Sequence, residues 1–177
     1  MAELTIPMAY NIVKYCDIKD NETILDFGCA MGYMVKALKL LGFNIRGCDI
    51  SKYAISQCDR DVEDLLHNTL VTADWCISKD VFEHLTTSEI EEHLEKFQSY
   101  FKNIFLVIPL GDGNKFVVPE YEHDITHITK QTKEWWEEKF KQYGWKIEKF
   151  NYTVNGVKDN WNHYEKGNGF WILKNEY

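Results

Sequence analysis

An apolar run that ends in an acid and breaks into a glycine turn constrains this chain more than any other feature. It reads Ile24-Leu25-Asp26-Phe27-Gly28-Cys29-Ala30-Met31-Gly32-Tyr33. The apolar residues predict a buried strand. From Tyr33 the residues Met34, Ala37, Leu38 and Leu41 recur at helical spacing, with Gly42 as the stop. Gly28 and Gly32 permit backbone conformations and close ligand approach that a Cβ would block, and the helix aims its first amides at whatever sits in the turn. A second run, Phe43 to Asp49, again ends in an acid. An acid at the end of a second strand is placed to accept hydrogen bonds from ribose hydroxyls. Strand, turn, helix, strand is a minimal βαβ unit, and together with the two acids it points to a nucleoside-type ligand.

The details of the turn narrow the ligand. A dinucleotide fingerprint is G-x-G-x-x-G, whereas this chain reads G-C-A-M-G-Y from Gly28, with Ala30 in the second glycine position and Tyr33 in the last. Asp26 to Tyr33 instead resembles the first motif of class I S-adenosylmethionine-dependent methyltransferases. Farther along, Cys76-Ile77-Ser78-Lys79-Asp80-Val81-Phe82-Glu83-His84-Leu85 resembles that family's fourth strand and the loop after it, D-V-x-E-H-L. The resemblance runs from Asn21 to Lys174. It implies a single class I methyltransferase domain over residues 1–177, with a Rossmann-like doubly wound α/β sheet that is mostly parallel, an antiparallel C-terminal strand, and helices on both faces. It also implies S-adenosylmethionine as cofactor, held by Asp26, Gly28, Cys29, Ala30, Gly32, Tyr33, Asp49, Ile50, Lys79 and Asp80.

One part of the pattern is compressed. Only residues 50–73 lie between Asp49 and Asp74, where the family fits a helix, a third strand with its own acid, and another helix. A lost or shortened edge strand around Arg60 to Leu66 follows, because an edge strand has one ladder partner to lose rather than two. The family's third acid, which would contact adenine, maps to Asp61 or Asp64. Elsewhere the punctuation is clear. Pro7 to Tyr15 reads as an opening helix, and Ser51 caps a short one running to about Cys58. Trp75 to Ser78 is a strand, Thr86 and Glu89 form a capping box for a helix bearing Ile90, Leu94, Phe97 and Phe101, and Asn103 to Ile108 is a further strand. A long loop, Leu110 to Gln131, precedes a helix that starts at Thr132 and ends at Gly144. Trp145 to Val154 and Phe170 to Lys174 read as an antiparallel pair flanking a polar excursion that carries Trp161.

Methyl transfer from a sulfonium is an in-line displacement, so the protein chiefly aligns donor and acceptor and takes a proton from a hydroxyl or ammonium acceptor. The candidate bases are His84, just past the fourth strand, and His127, with Asp124 three residues earlier to orient it. Glu83, His84 and a histidine of the later loop, His123 or His127, form a second pattern: carboxylate and imidazole ligands from two loops, suited to a divalent metal such as magnesium. That pattern resembles the 2′-O-methyltransferases of small RNA 3′ ends and the O-methyltransferases of ubiquinone biosynthesis, although Asp80 stands where they use a glutamate. The metal set is read as Glu83, His84 and His127.

Composition limits the acceptor. The 177 residues carry a net charge of −8 without long basic runs, which disfavours charge-driven binding to nucleic acid and leaves a small molecule with a hydroxyl as the first expectation. An RNA 2′-O-methyltransferase and a non-catalytic cofactor-binding subunit are the alternatives. Five cysteines without CxxC spacing read as reduced core residues, consistent with a cytoplasmic monomer or homodimer that does not engage a membrane.

Overall fold

The computed structural model describes residues 2–176, in two compact units, Met1–Ile77 and Ser78–Tyr177. The first unit is built from α1 (Ala2–Cys16), β1 (Thr23–Phe27), α2 (Tyr33–Leu40), β2 (Asn44–Cys48), α3 (Lys52–Ser56), β3 (Leu66–His67) and the start of β4 (Ala73–Lys79). Its strands are parallel in the order β3-β2-β1-β4. Ile24, Leu25 and Ile45 of the strands, Val35, Ala37 and Leu38 of α2, and Ala9 and Ile12 of α1 are almost wholly buried, which is why the helical apolar stripe and the strand runs were both visible in the sequence.

Several boundaries differ from the sequence reading, and Phe101, read on a helix face, begins a strand instead, because the helix before it ends at Phe97. The opening helix starts at Ala2 and continues through Pro7, because Ala9, Ile12 and Cys16 are buried on one face and outweigh the one backbone donor that proline lacks. The capped helix after Ser51 stops at Ser56; the Ser51 hydroxyl accepts from the Ala54 amide as expected. The edge strand is shortened rather than lost. Arg60–Leu65 forms a 3-10 helix, and β3 is the next two residues, in register with Gly47 and Cys48. Packing explains why two residues suffice: a Cβ on Gly47 would lie 2.7 Å from the Leu66 side chain, and one on Gly32 2.9 Å from it. Leu66 fills the space that two glycines leave.

The second unit holds α4 (Thr87–Phe97), β5 (Phe101–Pro109), α5 (Lys133–Gln142), β6 (Trp145–Asn151) and β7 (Asn168–Asn175). β7 runs antiparallel to both β5 and β6 and lies between them. Ile104 to Ile108 are fully buried, and Phe82 packs edge-on against Phe97 of α4 and Trp136 of α5. Trp136, Trp145 and Trp171 belong to the core, while Trp135 is half-buried beneath the Lys139 ammonium. The capping box of α4 forms in both directions between Thr86 and Glu89. The long loop is ordered by a bridge between Gly111 and Phe116 and a 3-10 helix over Pro119–His123. Trp161, in the polar excursion, is half-buried with its ring 5.4 Å from that of Tyr121. Among the described residues no helix is long and apolar enough to cross a membrane.

Candidate active site

In the first unit the turn after β1 is assembled almost entirely from backbone. Gly28 and Cys29 donate their amides to the Cys48 carbonyl at the end of β2, at 2.8 and 3.1 Å. Gly32 adopts φ 76° as the N-cap of α2 and has no side chain to cap it, so the first amides of the helix face the turn without an internal acceptor. Ala30 also takes a left-handed φ of 46°, which turns its amide onto Asp49 Oδ2 at 2.8 Å. Asp49 Oδ1 accepts from the Ser51 amide, also at 2.8 Å. The two predicted elements, the turn and the second acid, are thus tied to each other, and a carboxylate with about four acceptor positions still has capacity for hydroxyl donors. Asp26 is buried in β1, and Tyr33 is partly exposed. Ile50, beside Asp49, is 91% exposed. The Cys29 thiol is pushed well above its ordinary range by burial and by the charges of Asp26 and Asp49, which removes it as a nucleophile.

Asp61 and Asp64 lie in the 3-10 helix before β3. Asp61 sits 3.4 Å from the Lys36 ammonium, which also pairs with Asp59 at 2.6 Å. The residue that leaves the end of β3 is instead Asn68, whose side-chain amide donates to the Asp49 carbonyl at 3.1 Å. No local sequence signal marks Asn68, since its placement depends on a register set by Leu66.

The second unit carries a cluster made of side chains. Asp80 takes a left-handed φ of 57° after β4, and its two carboxylate oxygens each accept an ammonium at 2.5 Å, one from Lys79 and one from Lys158. Burial alone would raise its pKa, but the two lysines outweigh burial and hold Asp80 ionised. Lys158 comes from the polar excursion, is only 6% exposed at its side chain, and also lies over the Tyr121 ring at 4.6 Å. Sequence reasoning missed both Lys158 and Tyr121, which are brought to Asp80 by tertiary structure alone.

Glu83 is in the short 3-10 helix Phe82–His84 and is fully buried. Neither of its carboxylate oxygens has a hydrogen-bond partner among the described residues. Burial, and then the Asp80 charge, push its pKa from 4.5 to about 8, so the group holds its proton at neutral pH. The Glu83 carbonyl accepts the amides of Ile128 and Thr129 at 2.9 and 3.0 Å, which draws the later loop onto this helix. As a result the rings of His84 and His127 lie 4.7 Å apart, and the ligand atoms of Glu83, His84 and His127 all fall within 4.8 Å of one another. His127 Nδ1 is 2.8 Å from the Tyr121 carbonyl, an acceptor only, which places a proton on Nδ1. Asp124 Oδ2 lies 3.6 Å from His127 Nε2. Burial, and then the neighbouring His127, lower the His84 pKa and favour its neutral form. Of the two histidines left open by the sequence, His127 joins the cluster, while His123 ends its 3-10 helix exposed.

The fold matches known structures along nearly the whole chain. A methyltransferase from Archaeoglobus fulgidus described as S-adenosylmethionine-dependent superimposes with a TM-score of 0.74 at 16% identity, covering 98% of this chain and 94% of that one. A putative methyltransferase of Haloferax volcanii, solved in complex with the activator Trm112, gives 0.72 at 14% identity over 99% and 94%. Magnesium protoporphyrin IX methyltransferase of Synechocystis, solved with bound S-adenosylhomocysteine, gives 0.69 at 13% over 98% and 84%. The fold is therefore the Rossmann-like α/β fold of class I methyltransferases. The chain belongs to the methyltransferase domain family, whose profile matches residues 8–152. No curated protein matches the sequence.

Proposed function

We propose that this protein is an S-adenosylmethionine-dependent methyltransferase that acts on a hydroxyl oxygen of a small molecule. The observation that carries the hydroxyl reading is the cluster in the second unit, where the imidazoles of His127 and His84 and the proton-bearing Glu83 converge. A hydroxyl needs a base when it is methylated; a neutral imidazole is suited to that role, and burial favours that form in His84. When bound, S-adenosylmethionine supplies a methyl group on a sulfonium. The residues that would hold it are Asp26, the Gly28–Tyr33 turn and Asp49 with Ile50, with Asp49 directed to ribose hydroxyls and Ile50 offering an apolar face. Lys79 and Asp80 are engaged with each other and with Lys158, so their contribution would be to shape the loop after β4. The Synechocystis relative, named for a small-molecule acceptor, and the net charge of −8 support the acceptor class.

Glu83, His84 and His127 also fit a divalent ion such as magnesium. A buried carboxylate with no hydrogen-bond partner and two imidazoles within ligand reach form a donor set that few structural roles would leave unsatisfied. A cation held there would supply Lewis acidity toward a hydroxyl. The same donor set favours the second reading, a 2′-hydroxyl of RNA, which the acidic balance of the chain opposes. Calorimetric titration with S-adenosylmethionine, S-adenosylhomocysteine and NAD, with and without magnesium, tests the cofactor. Release of S-adenosylhomocysteine across panels of hydroxyl compounds and short RNAs tests the acceptor. Binding of the first two alone with turnover on small hydroxyl compounds is expected. NAD binding, or turnover confined to amines, would overturn the proposal.

A further inference from the structure

We propose that Thr126 is a positioning residue that holds the His84 imidazole with its proton on Nδ1 and its Nε2 lone pair free. The inference deepens the reading of His84 given above and rests on it. Thr126 Oγ1 lies 2.6 Å from Asp124 Oδ1 and 2.8 Å from His84 Nδ1. A hydroxyl has one proton to give. Asp124 is a half-exposed carboxylate, ionised at neutral pH, and can only accept. The Thr126 proton therefore goes to Asp124, and its oxygen is left to accept from His84. That bond requires a proton on Nδ1 and leaves Nε2 unprotonated.

The relay is held in place by backbone. Thr126 donates its amide to Asp124 Oδ1 at 2.9 Å, closing a tight turn at the start of the segment, and the Ile128 and Thr129 amides fix the other end of that segment to the Glu83 carbonyl. His84 and Thr126 are thus brought together by bonds in which neither imidazole takes part. The two histidines reach the same state by different means: His127 through a main-chain carbonyl, His84 through a side-chain hydroxyl that Asp124 polarises. Each then carries a proton on Nδ1, at a ring separation of 4.7 Å. Asp124, expected from the sequence to orient His127, also sets the tautomer of His84.

Long-range proton–nitrogen correlation spectra of the full chain labelled with 15N-histidine read the tautomer directly, at a pH above the titration range of imidazole and without added ligand. In the wild type, His84 is expected to show an Nδ1–H signature. Thr126→Val keeps the shape and removes the hydroxyl, and should move His84 toward the Nε2–H form that an unrestrained imidazole favours in water. Thr126→Ser should keep the wild-type signature. Turnover should fall about tenfold or more in the valine variant with KM changed less than about twofold, and the serine variant should recover it. Because Thr126 is exposed, the fold should survive both changes. An Nδ1–H signature that persists in Thr126→Val, or a serine variant that behaves like the valine one, would overturn the inference. A tautomer shift without loss of turnover would uphold the positioning and instead remove His84 from the proposed reaction.

Discussion

The turn after β1 and the cluster after β4 are both polar, but they are built from different material. The turn is made of amides and carbonyls whose positions follow from a few consecutive residues, with Asp49 the main side chain involved. The cluster is made of side chains from three separate segments, and it contains a buried carboxylate with no hydrogen-bond partner among the described residues. A backbone-built site is fixed once the chain folds locally; a side-chain site depends on distant segments meeting. The first is therefore vulnerable to added atoms, and the second to removed ones.

The largest effect should come from removing a side chain in the cluster. His127→Ala is expected to lower turnover by about a hundredfold to ten-thousandfold, the usual worth of a general base, while S-adenosylmethionine affinity measured by calorimetry stays within about threefold. Equal losses in both would mean that the loop is only structural. Next, Asp49→Ala removes a charged acceptor that serves the Ala30 and Ser51 amides, and should weaken cofactor binding about tenfold to a hundredfold, at about 1.5–3 kcal/mol for bonds to a charged group. Unchanged affinity would remove Asp49 from the ribose role.

Added atoms test the other side of the contrast. On Gly47→Ala the new methyl would meet the Leu66, Cys29 and Val35 side chains at 2.7–2.8 Å, and a loss of about 1–3 kcal/mol in denaturant unfolding is expected. The last test reads a change of slope rather than of level. Glu83 keeps its proton to about pH 8 when folded and loses it near 4.5 when unfolded, so between those values the folded state binds more protons and stability falls as pH rises. Glu83→Gln cannot titrate and should flatten that decline in melting temperature. An identical pH profile in both proteins would mean that Glu83 is ionised in the fold.

The same contrast decides what could be read beforehand. The placement of Asp26, Gly28, Gly32 and Asp49 about one turn was legible because spacing within one βαβ unit sets it, and the capping box of α4 because it is local. His84 and His127 were legible as types of residue, and the turn Asp124–His127 as a local unit. Lys158 was not, since nothing near it in sequence marks a lysine destined for burial against Asp80. Nor was Asn68, which depends on how Leu66 pairs with β2, nor the start of the first helix, where burial overrides Pro7. The contact of Thr126 with His84 needed the fold, because 42 positions separate the two residues.

Leu66 has a consequence for how such a chain can vary. A two-residue strand contributes little ladder, and its hold on the sheet lies in one side chain seated over Gly32 and Gly47. Leu66 and the two glycines should change only together, as a lock and its key do, while strand length and the residues between β3 and β4 are free to drift. Insertions that lengthen this edge would then be tolerated in relatives of very different size, and a single exchange at Leu66 would not.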